Sequence, residues 1–109
     1  MTTDIQQLIQ TQVSSSPVVI YIKGTPKFPQ CGFSAKVVQI LSMLGVKEVL
    51  AVNVFENQAL VPGLVEYANW PTLPQCYVRG EFIGGCDILT EMYQSGELKQ
   101  LLGELATAA

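Results

Sequence analysis

The chain has 109 residues, of which 49% are hydrophobic and 14% are charged, a composition that supplies one hydrophobic core and excludes a disordered chain. We therefore expect a single domain over residues 1–109. The formal net charge of −3 argues against nucleic acid as a partner, and no apolar stretch reaches the roughly 18 residues that a membrane span needs.

The first half of the chain predicts a helix, a strand, a loop and a second helix. Apolar residues recur at helical spacing over residues 3–14. Residues 18–22 are β-branched or aromatic and continuously apolar, which favours a strand buried on both faces, as in a parallel sheet. Residues 24–30 contain one Gly and two Pro and predict a loop, and an apolar stripe predicts a helix over residues 32–44.

The second half of the chain continues the alternation of strands and helices and then closes with a hairpin. Its predicted elements are a strand over residues 49–54, a helix over residues 58–67, a rigid break over residues 70–74, short strands over residues 75–78 and 81–83, and helices from residue 87 onward. Alternating strands and helices imply parallel crossovers, and the hairpin adds an antiparallel edge. We therefore predict an α/β fold with a four-stranded mixed sheet and helices on both faces.

Cysteine usage indicates a reducing compartment. The three cysteines, at positions 31, 76 and 86, are an odd number that argues against a disulfide framework. Three thiols and no histidine exclude a Cys/His zinc site, a closed four-ligand site and a histidine general base. Because residues 1–12 lack the pattern of a secretory signal, we expect a cytoplasmic protein, with a processed organellar protein as the alternative.

Cys31 is the first candidate for chemistry. It lies between the predicted loop and the predicted helix, where unpaired amides and the helix dipole favour an anion. We expect its thiol to ionise easily, with help from Lys27 and Lys36. The alternative is a small buried hydrophobic side chain. Ser34 stands three residues later, so no disulfide can close within the motif, and Cys31 must act with a thiol from outside it.

The charge distribution supports this interpretation. Residues 5–47 contain four lysines and no acidic residue, whereas the rest of the chain is acidic. A positive neighbourhood around Cys31 would stabilise a thiolate and attract small anions. The alternative for each lysine is a solvated surface charge.

Four separated motifs occur in order along the chain, namely Lys23-Gly24-Thr25-Pro26, Cys31-Gly32-Phe33-Ser34, Trp70-Pro71-Thr72-Leu73-Pro74-Gln75 and Gly84-Gly85-Cys86-Asp87-Ile88. In this respect the chain, from about residue 18 to residue 98, resembles the monothiol glutaredoxin family of the single-domain bacterial type. The resemblance implies a thioredoxin-like fold, a cis peptide bond before Pro74, a trans bond before Pro71 and a glutathione groove beside Cys31.

The resemblance also implies residues that bind glutathione. Lys23 would meet a carboxylate of the ligand, the Leu73 backbone would pair with the peptide like a sheet edge, and Cys86 and Asp87 would bind the other end through an amide and a carboxylate. The alternatives are a solvated charge for Lys23, a helix N-cap for Asp87 and an ordinary trans bond before Pro74.

The other cysteines and the tryptophan have less specific interpretations. Cys76 lies in an apolar strand and is expected to be inert. Cys86 is either a small core residue or a second redox thiol that faces Cys31, and Trp70 is expected to pack in the core.

The resemblance implies a function in iron–sulfur cluster assembly and transfer, and in iron homeostasis. Cys31 of each of two chains and two glutathione thiolates would supply the four ligands of a 2Fe–2S cluster, so the chain would be a homodimer with the cluster and a monomer without it. Apo iron–sulfur proteins would be the acceptors, and BolA-like proteins are implied partners.

The alternative function is a glutathione-dependent thiol–disulfide oxidoreductase acting through Cys31, at most a weak enzyme. A scaffold that only binds partners is a third possibility.

One position departs from the family pattern. Relatives usually carry an arginine, a second cation for glutathione, where this chain has Val61. We therefore predict weaker glutathione binding than in such relatives unless Lys27 compensates, and tighter binding in Val61→Arg.

Overall fold

A computed structural model describes residues 4–107 of the chain. The elements are α1 (Asp4–Ser15), β1 (Val18–Ile22), α2 (Gly32–Met43), β2 (Val49–Asn53), α3 (Leu60–Ala68), β3 (Gln75–Val78), β4 (Glu81–Gly84), α4 (Cys86–Ser95) and α5 (Glu97–Leu102), with short 3₁₀ turns at Val54–Glu56 and Gly103–Leu105. The predicted order of elements is confirmed. Within the described range, no helix has both the length and the apolar character needed to cross a membrane.

Most boundaries differ from prediction by one residue, and the start of α3 differs by two. The predicted first residue of α1, Thr3, lies outside the described residues. β2 ends one residue early because the Asn53 side chain accepts a hydrogen bond from the Phe55 N–H at 3.0 Å and starts a 3₁₀ turn. α3 begins at Leu60 rather than residue 58, because the Asn57 side chain accepts from the Ala59 N–H and the Asn57 carbonyl accepts from the Leu60 N–H.

The sheet has the strand order β2-β1-β3-β4. β1 pairs in parallel with β2 and antiparallel with β3, and β3 pairs antiparallel with β4. All five residues of β1 are buried, as predicted, because the strand has a neighbour on each side and helices on each face. One neighbour of β1 is parallel and the other is antiparallel, whereas its apolar sequence is typical of a strand in a parallel sheet. The hairpin turn uses Arg79 and Gly80 at φ 52° and 80°, which matches the twist of the two strands.

Two hydrophobic cores lie on opposite faces of this sheet. Val18, Ile20 and Ile22 point into one core, which α2, α4 and α5 cover. Val19 and Tyr21 point into the other, which α1 and α3 cover. The alternation follows from the two-residue period of a strand. The predicted mixed sheet with helices on both faces is therefore confirmed.

Candidate functional site

A cleft of about 470 Å³ opens where β1 ends and where α2 and α4 begin. Its lining residues are Lys23, Cys31, Phe33, Val61, Trp70, Pro71, Thr72, Leu73, Pro74, Gly85, Cys86, Asp87 and Ile88. All five residues that the sequence singles out for catalysis or glutathione binding are among them. The fold thus brings together side chains that are more than 60 positions apart in the sequence.

Cys31 is the N-cap residue of α2, with extended backbone angles, and it is half-buried. Its pKa lies below the ordinary value of a thiol, chiefly because the Ser34 backbone N–H bonds the sulfur. The Phe33 N–H, the Ser34 hydroxyl and the Lys23 ammonium lower the pKa further, whereas partial burial raises it. The expected ease of ionisation is confirmed. The alternative of an inert buried side chain is wrong.

One lysine of the predicted positive neighbourhood acts on Cys31. Lys23 lowers the pKa of Cys31, whereas Lys27 and Lys36 are not among its causes. Both of these lysines are exposed to solvent, and neither lines the main cleft. Lys36 lines a second cavity together with Cys31, and Lys27 lines neither this cavity nor the main cleft. Lys23 is therefore the lysine to which the lowered pKa of Cys31 is assigned.

Ser34 has a larger part than the sequence indicates. Its side chain is fully buried, and its Oγ accepts a hydrogen bond from the Lys23 backbone N–H at 3.0 Å. The hydroxyl proton is then free to point to the Cys31 sulfur, which is consistent with its effect on that pKa. Ser34 therefore links the end of β1 to the start of α2 as well as excluding an internal disulfide.

The loop before Cys31 is closed by hydrogen bonds that its backbone amides donate. The Gln30 N–H donates to the Lys23 carbonyl at 2.8 Å, and the Gly24 N–H donates to Asn53 Oδ1 at 3.1 Å. Gly24 has φ +93°, and a Cβ there would lie 2.5 Å from the Phe28 carbonyl oxygen. Sequence reasoning missed Asn53, although a lone polar residue at the end of an apolar strand is the signal for such a contact.

The loop over residues 70–74 forms the opposite wall. The Leu73–Pro74 peptide bond is cis, as predicted, and the bond before Pro71 is not among the cis bonds of the described chain. Within residues 4–107, no hydrogen bond uses the N–H or the carbonyl of Leu73. Both groups are available to pair with an extended ligand, as a sheet edge would be.

Gln75 holds this loop from behind. It is fully buried, and its Nε2 donates to the carbonyls of Trp70 at 3.5 Å and Thr72 at 3.4 Å. Its Oε1 accepts a hydrogen bond from the Tyr77 hydroxyl at 2.9 Å. Sequence reasoning missed this role, for which the signal is a polar amide at the start of an apolar strand.

The start of α4 closes the cleft. Its N-cap is Gly85, no side chain caps its first amides, and Asp87 lies exposed in the first turn. The alternative that Asp87 is the N-cap is therefore wrong. A Cβ on Gly85 would lie 3.0 Å from the Pro74 carbonyl oxygen, so glycine permits the close approach of the two walls.

The other two cysteines lie in different environments. Cys76 is fully buried, and burial raises its pKa to about 12, which confirms that it is inert. Cys86 packs against the core, as its first interpretation predicts, and it also lines the cleft with Cys31. Both Cys31 and Cys86 are free thiols in this structure.

Trp70 packs on Phe82 with ring centroids 5.6 Å apart, as its expected core position requires. Its ring also lines the cleft. Its indole N–H is buried and, among the described residues, has no hydrogen-bond partner.

The charges of the cleft are sparse. Among its lining residues, Lys23 and Asp87 are the charged ones that the structure describes. Val61, 37% exposed, occupies the α3 side of the cleft. Across residues 4–107, no three His, Cys, Asp or Glu side chains form a group that could hold a metal ion.

Comparisons with known proteins point to one family. The sequence model of a family described as glutaredoxin matches residues 18–83. The chain is 49% identical to Glutaredoxin 4 of Escherichia coli (strain K12) over 106 residues, which are 97% of this chain and 90% of that protein. It is 47% identical to the mitochondrial monothiol glutaredoxin-5 of Saccharomyces cerevisiae, over 95% of this chain and 71% of that protein.

Solved structures agree with the sequence matches. Reduced apo GrxS14 from poplar has a TM-score of 0.80 and 48% identity, over 93% of this chain and 92% of its own. A buckwheat glutaredoxin–glutathione complex has a TM-score of 0.82 and 26% identity, over 96% of this chain and 93% of its own.

Proposed function

This chain belongs to the glutaredoxin family, as a monothiol member with the thioredoxin-like fold, and we propose that it binds glutathione beside Cys31 and carries a 2Fe–2S cluster as cargo. The observation that carries the proposal is the Cys31 thiol, whose pKa is lowered, in a cleft that also contains Lys23, Leu73 and Asp87. The proposed physiological role is cluster assembly and transfer to apo iron–sulfur proteins, and with it iron homeostasis.

The cleft has the groups that a thiol tripeptide requires. Leu73 offers an unpaired N–H and carbonyl, Lys23 a cation, and Asp87 an anion, all in one cleft that Cys31 also lines. The buckwheat glutaredoxin of similar fold was solved as a glutathione complex. We assign glutathione binding to Lys23, Leu73, Cys86 and Asp87 on these grounds.

The ligand count argues for two chains. A 2Fe–2S cluster is normally held by four thiolates, and each chain would contribute Cys31, whose pKa is lowered. Among the described residues there is no ready-made group of three ligands. Two Cys31 thiolates and two glutathione thiolates complete the set, so the loaded form is a homodimer and the apo form a monomer.

The cellular setting follows from the same chemistry. Three free cysteines are typical of a reducing compartment, for which we propose the cytoplasm. A BolA-like protein in place of the second copy is a further proposed partner. We take residues 1–109 to act as one glutaredoxin domain.

Anaerobic reconstitution with iron, sulfide and glutathione tests the proposal. We expect coloured protein that elutes as a dimer, and colourless monomer when glutathione is withheld or when Cys31 is replaced by Ser. Cys86→Ser is the matched control, since it removes a neighbouring thiol that the cluster does not use. A colourless monomer from the unchanged protein in the complete mixture would contradict the cluster function.

A second candidate function is glutathione-dependent disulfide exchange. The observation in its favour is the lowered pKa of Cys31, which makes the sulfur a good nucleophile and a good leaving group. The thiolate would attack the glutathione sulfur of a glutathionylated substrate, release the substrate thiol and form a mixed disulfide between Cys31 and glutathione. A second glutathione thiolate would then attack the glutathione sulfur of this mixed disulfide, which frees Cys31 and releases glutathione disulfide. Turnover of a glutathionylated model disulfide by protein that binds no cluster would make this the principal function.

A further inference from the structure

A second cavity, of about 490 Å³, lies between α2 and α4. Cys31 lines both this second cavity and the main cleft. Lys36 and Thr90 line the second cavity only, whereas the loop over residues 70–74 lines the main cleft only. A ligand held against that loop and a group held between the two helices therefore reach the Cys31 sulfur from different sides.

Lys36 supplies a positive charge on the α2 wall of the second cavity. In the described part of the chain, its ammonium makes no ion pair and no hydrogen bond. Gly32, four residues earlier, lies on the same face of the helix. A Cβ on Gly32 would meet nothing within 4 Å, so the surface between Cys31 and Lys36 is open at this position.

The position of Lys36 suits a group that a partner carries near its sulfur. Four helical residues span about 6 Å, and Lys36 is not among the causes of the lowered pKa of Cys31. Its ammonium therefore acts on a charge several bonds from the exchanging sulfur. In an extended polypeptide, the side chain next to a cysteine lies at about this distance.

The surroundings favour an acidic segment of a protein over a small free thiol. Asp87, on the α4 wall, forms no ion pair with Lys36 within residues 4–107, and it also lines the main cleft, where it is proposed to contact glutathione. Lys36 is thus the charge that belongs to the second cavity alone. Phe33 lines both cavities and is 61% exposed, which offers an aromatic contact of the kind that protein interfaces use.

We infer that the second cavity binds the polypeptide whose cysteine exchanges with Cys31, and that it selects a cysteine with an acidic residue beside it. Lys36 holds the carboxylate of that residue. In the exchange, the Cys31 thiolate attacks a disulfide of the partner, one sulfur–sulfur bond forms, one breaks, and the displaced sulfur leaves as a thiolate. This inference rests on the proposed disulfide exchange and names its class of protein substrate.

Two short peptides test the inference. Each has blocked ends and one cysteine activated as a mixed disulfide with thiopyridine, and they differ only by glutamate or glutamine directly before the cysteine. The Cys31 thiolate attacks the peptide sulfur and releases thiopyridone, whose absorbance gives the rate. All proteins carry Cys86→Ser, so that the rate reports Cys31. We expect the glutamate peptide to react about threefold faster, the size of one exposed ion pair.

Lys36→Gln and Lys27→Gln are the matched variants, since both remove one exposed charge and Lys27 lines neither cavity. The ratio of the two rates should fall to about one in Lys36→Gln and stay near threefold in Lys27→Gln. Alkylation by neutral iodoacetamide should show the same pH midpoint in both variants, because Lys36 acts on the partner and not on the thiol.

Three results would overturn the inference. They are equal rates for the two peptides with the unchanged lysines, a ratio that persists in Lys36→Gln, and a ratio that falls equally in both variants. A shifted alkylation midpoint in Lys36→Gln would also contradict it. The assay contains neither glutathione nor iron, so each of these results leaves the glutathione site and the cluster to be decided by the reconstitution experiment.

Discussion

At the scale of single residues, the reactivity of Cys31 depends on donors rather than on a general basic surface. The Ser34 N–H and hydroxyl, the Phe33 N–H and the Lys23 ammonium all stabilise the thiolate. Three of these four groups belong to the first turn of α2 and are set by its geometry. The local sequence is therefore enough to predict an acidic thiol, but only the folded contacts identify which cation contributes.

Replacing Ser34 by Ala tests the hydroxyl contribution. The variant keeps the backbone N–H and loses the hydroxyl donor, so the pKa of Cys31 should rise but stay below that of a free thiol. The measurement is the rate of alkylation by iodoacetamide against pH. Its midpoint should move to higher pH, and the rate below that midpoint should fall.

Ser42→Ala is the control for this experiment, because Ser42 lies exposed on the same helix. An unchanged pH profile in Ser34→Ala would show that the backbone and Lys23 alone set the pKa. Ser34 would then act only as the link to the Lys23 amide.

At the scale of elements, two loops place the walls of the cleft, and each is held by one buried or strained residue. Gly24 allows the loop before α2 to turn back on itself, and Gln75 ties the loop over residues 70–74 to β3. The loop over residues 70–74 also packs Leu73 against a core and Trp70 on Phe82. Their conformations therefore depend on these contacts.

Gly24→Ala should destabilise the protein more than Gly96→Ala. Both glycines have a positive φ, at +93° and +87°, so backbone strain of about 1 kcal/mol is common to the two variants. A Cβ at Gly24 would also collide with the Phe28 carbonyl, whereas at Gly96 it would meet nothing within 4 Å. The measurement is the free energy of unfolding in urea. Equal losses in the two variants would show that the loop moves freely to accept the side chain.

Gln75→Leu should release the loop over residues 70–74. The change leaves the Tyr77 hydroxyl and two carbonyls without their partner, at about 1–3 kcal/mol of unfolding free energy. Glutathione affinity should fall with it, because Leu73 is no longer held in place. Stability is measured in urea and affinity by fluorescence titration.

Tyr77→Phe is the matched control for Gln75→Leu. It removes the bond from the Tyr77 hydroxyl to Gln75 but leaves the Gln75 bonds to the loop carbonyls. We expect a loss of stability with glutathione affinity retained. If both variants lose affinity equally, the loop bonds of Gln75 do not position the ligand.

At the scale of the whole molecule, one sheet separates two hydrophobic cores, and the interior strand β1 contributes to both. The cleft depends on both sides, because α2 and α4 cover one face while α3, with Val61, covers the other. Loss of either core should therefore unfold the entire structure rather than one half of it.

Leu64→Ala and Leu89→Ala, each at a fully buried position in a different core, test this coupling. Each should reduce the unfolding free energy by about 2–5 kcal/mol. Far-UV circular dichroism and Trp70 fluorescence should report one coincident transition for both variants. Separate transitions by the two probes would show that the cores unfold independently, against the single-domain interpretation.

The sequence by itself determined the order of elements, the mixed sheet, the identity of the reactive cysteine and the proline loop, because these depend on local periodicity and on residues with restricted backbones. It did not reveal that Asn53 and Gln75 hold the two loops, because the hydrogen-bond partners of a polar side chain depend on which distant segments the fold brings together. It predicted a positive neighbourhood of lysines around Cys31 but did not single out Lys23, the lysine that lowers the pKa of the thiol. Only the tertiary structure, which brings Lys23, Val61, Leu73 and Asp87 around one cleft, decided what surrounds the thiol.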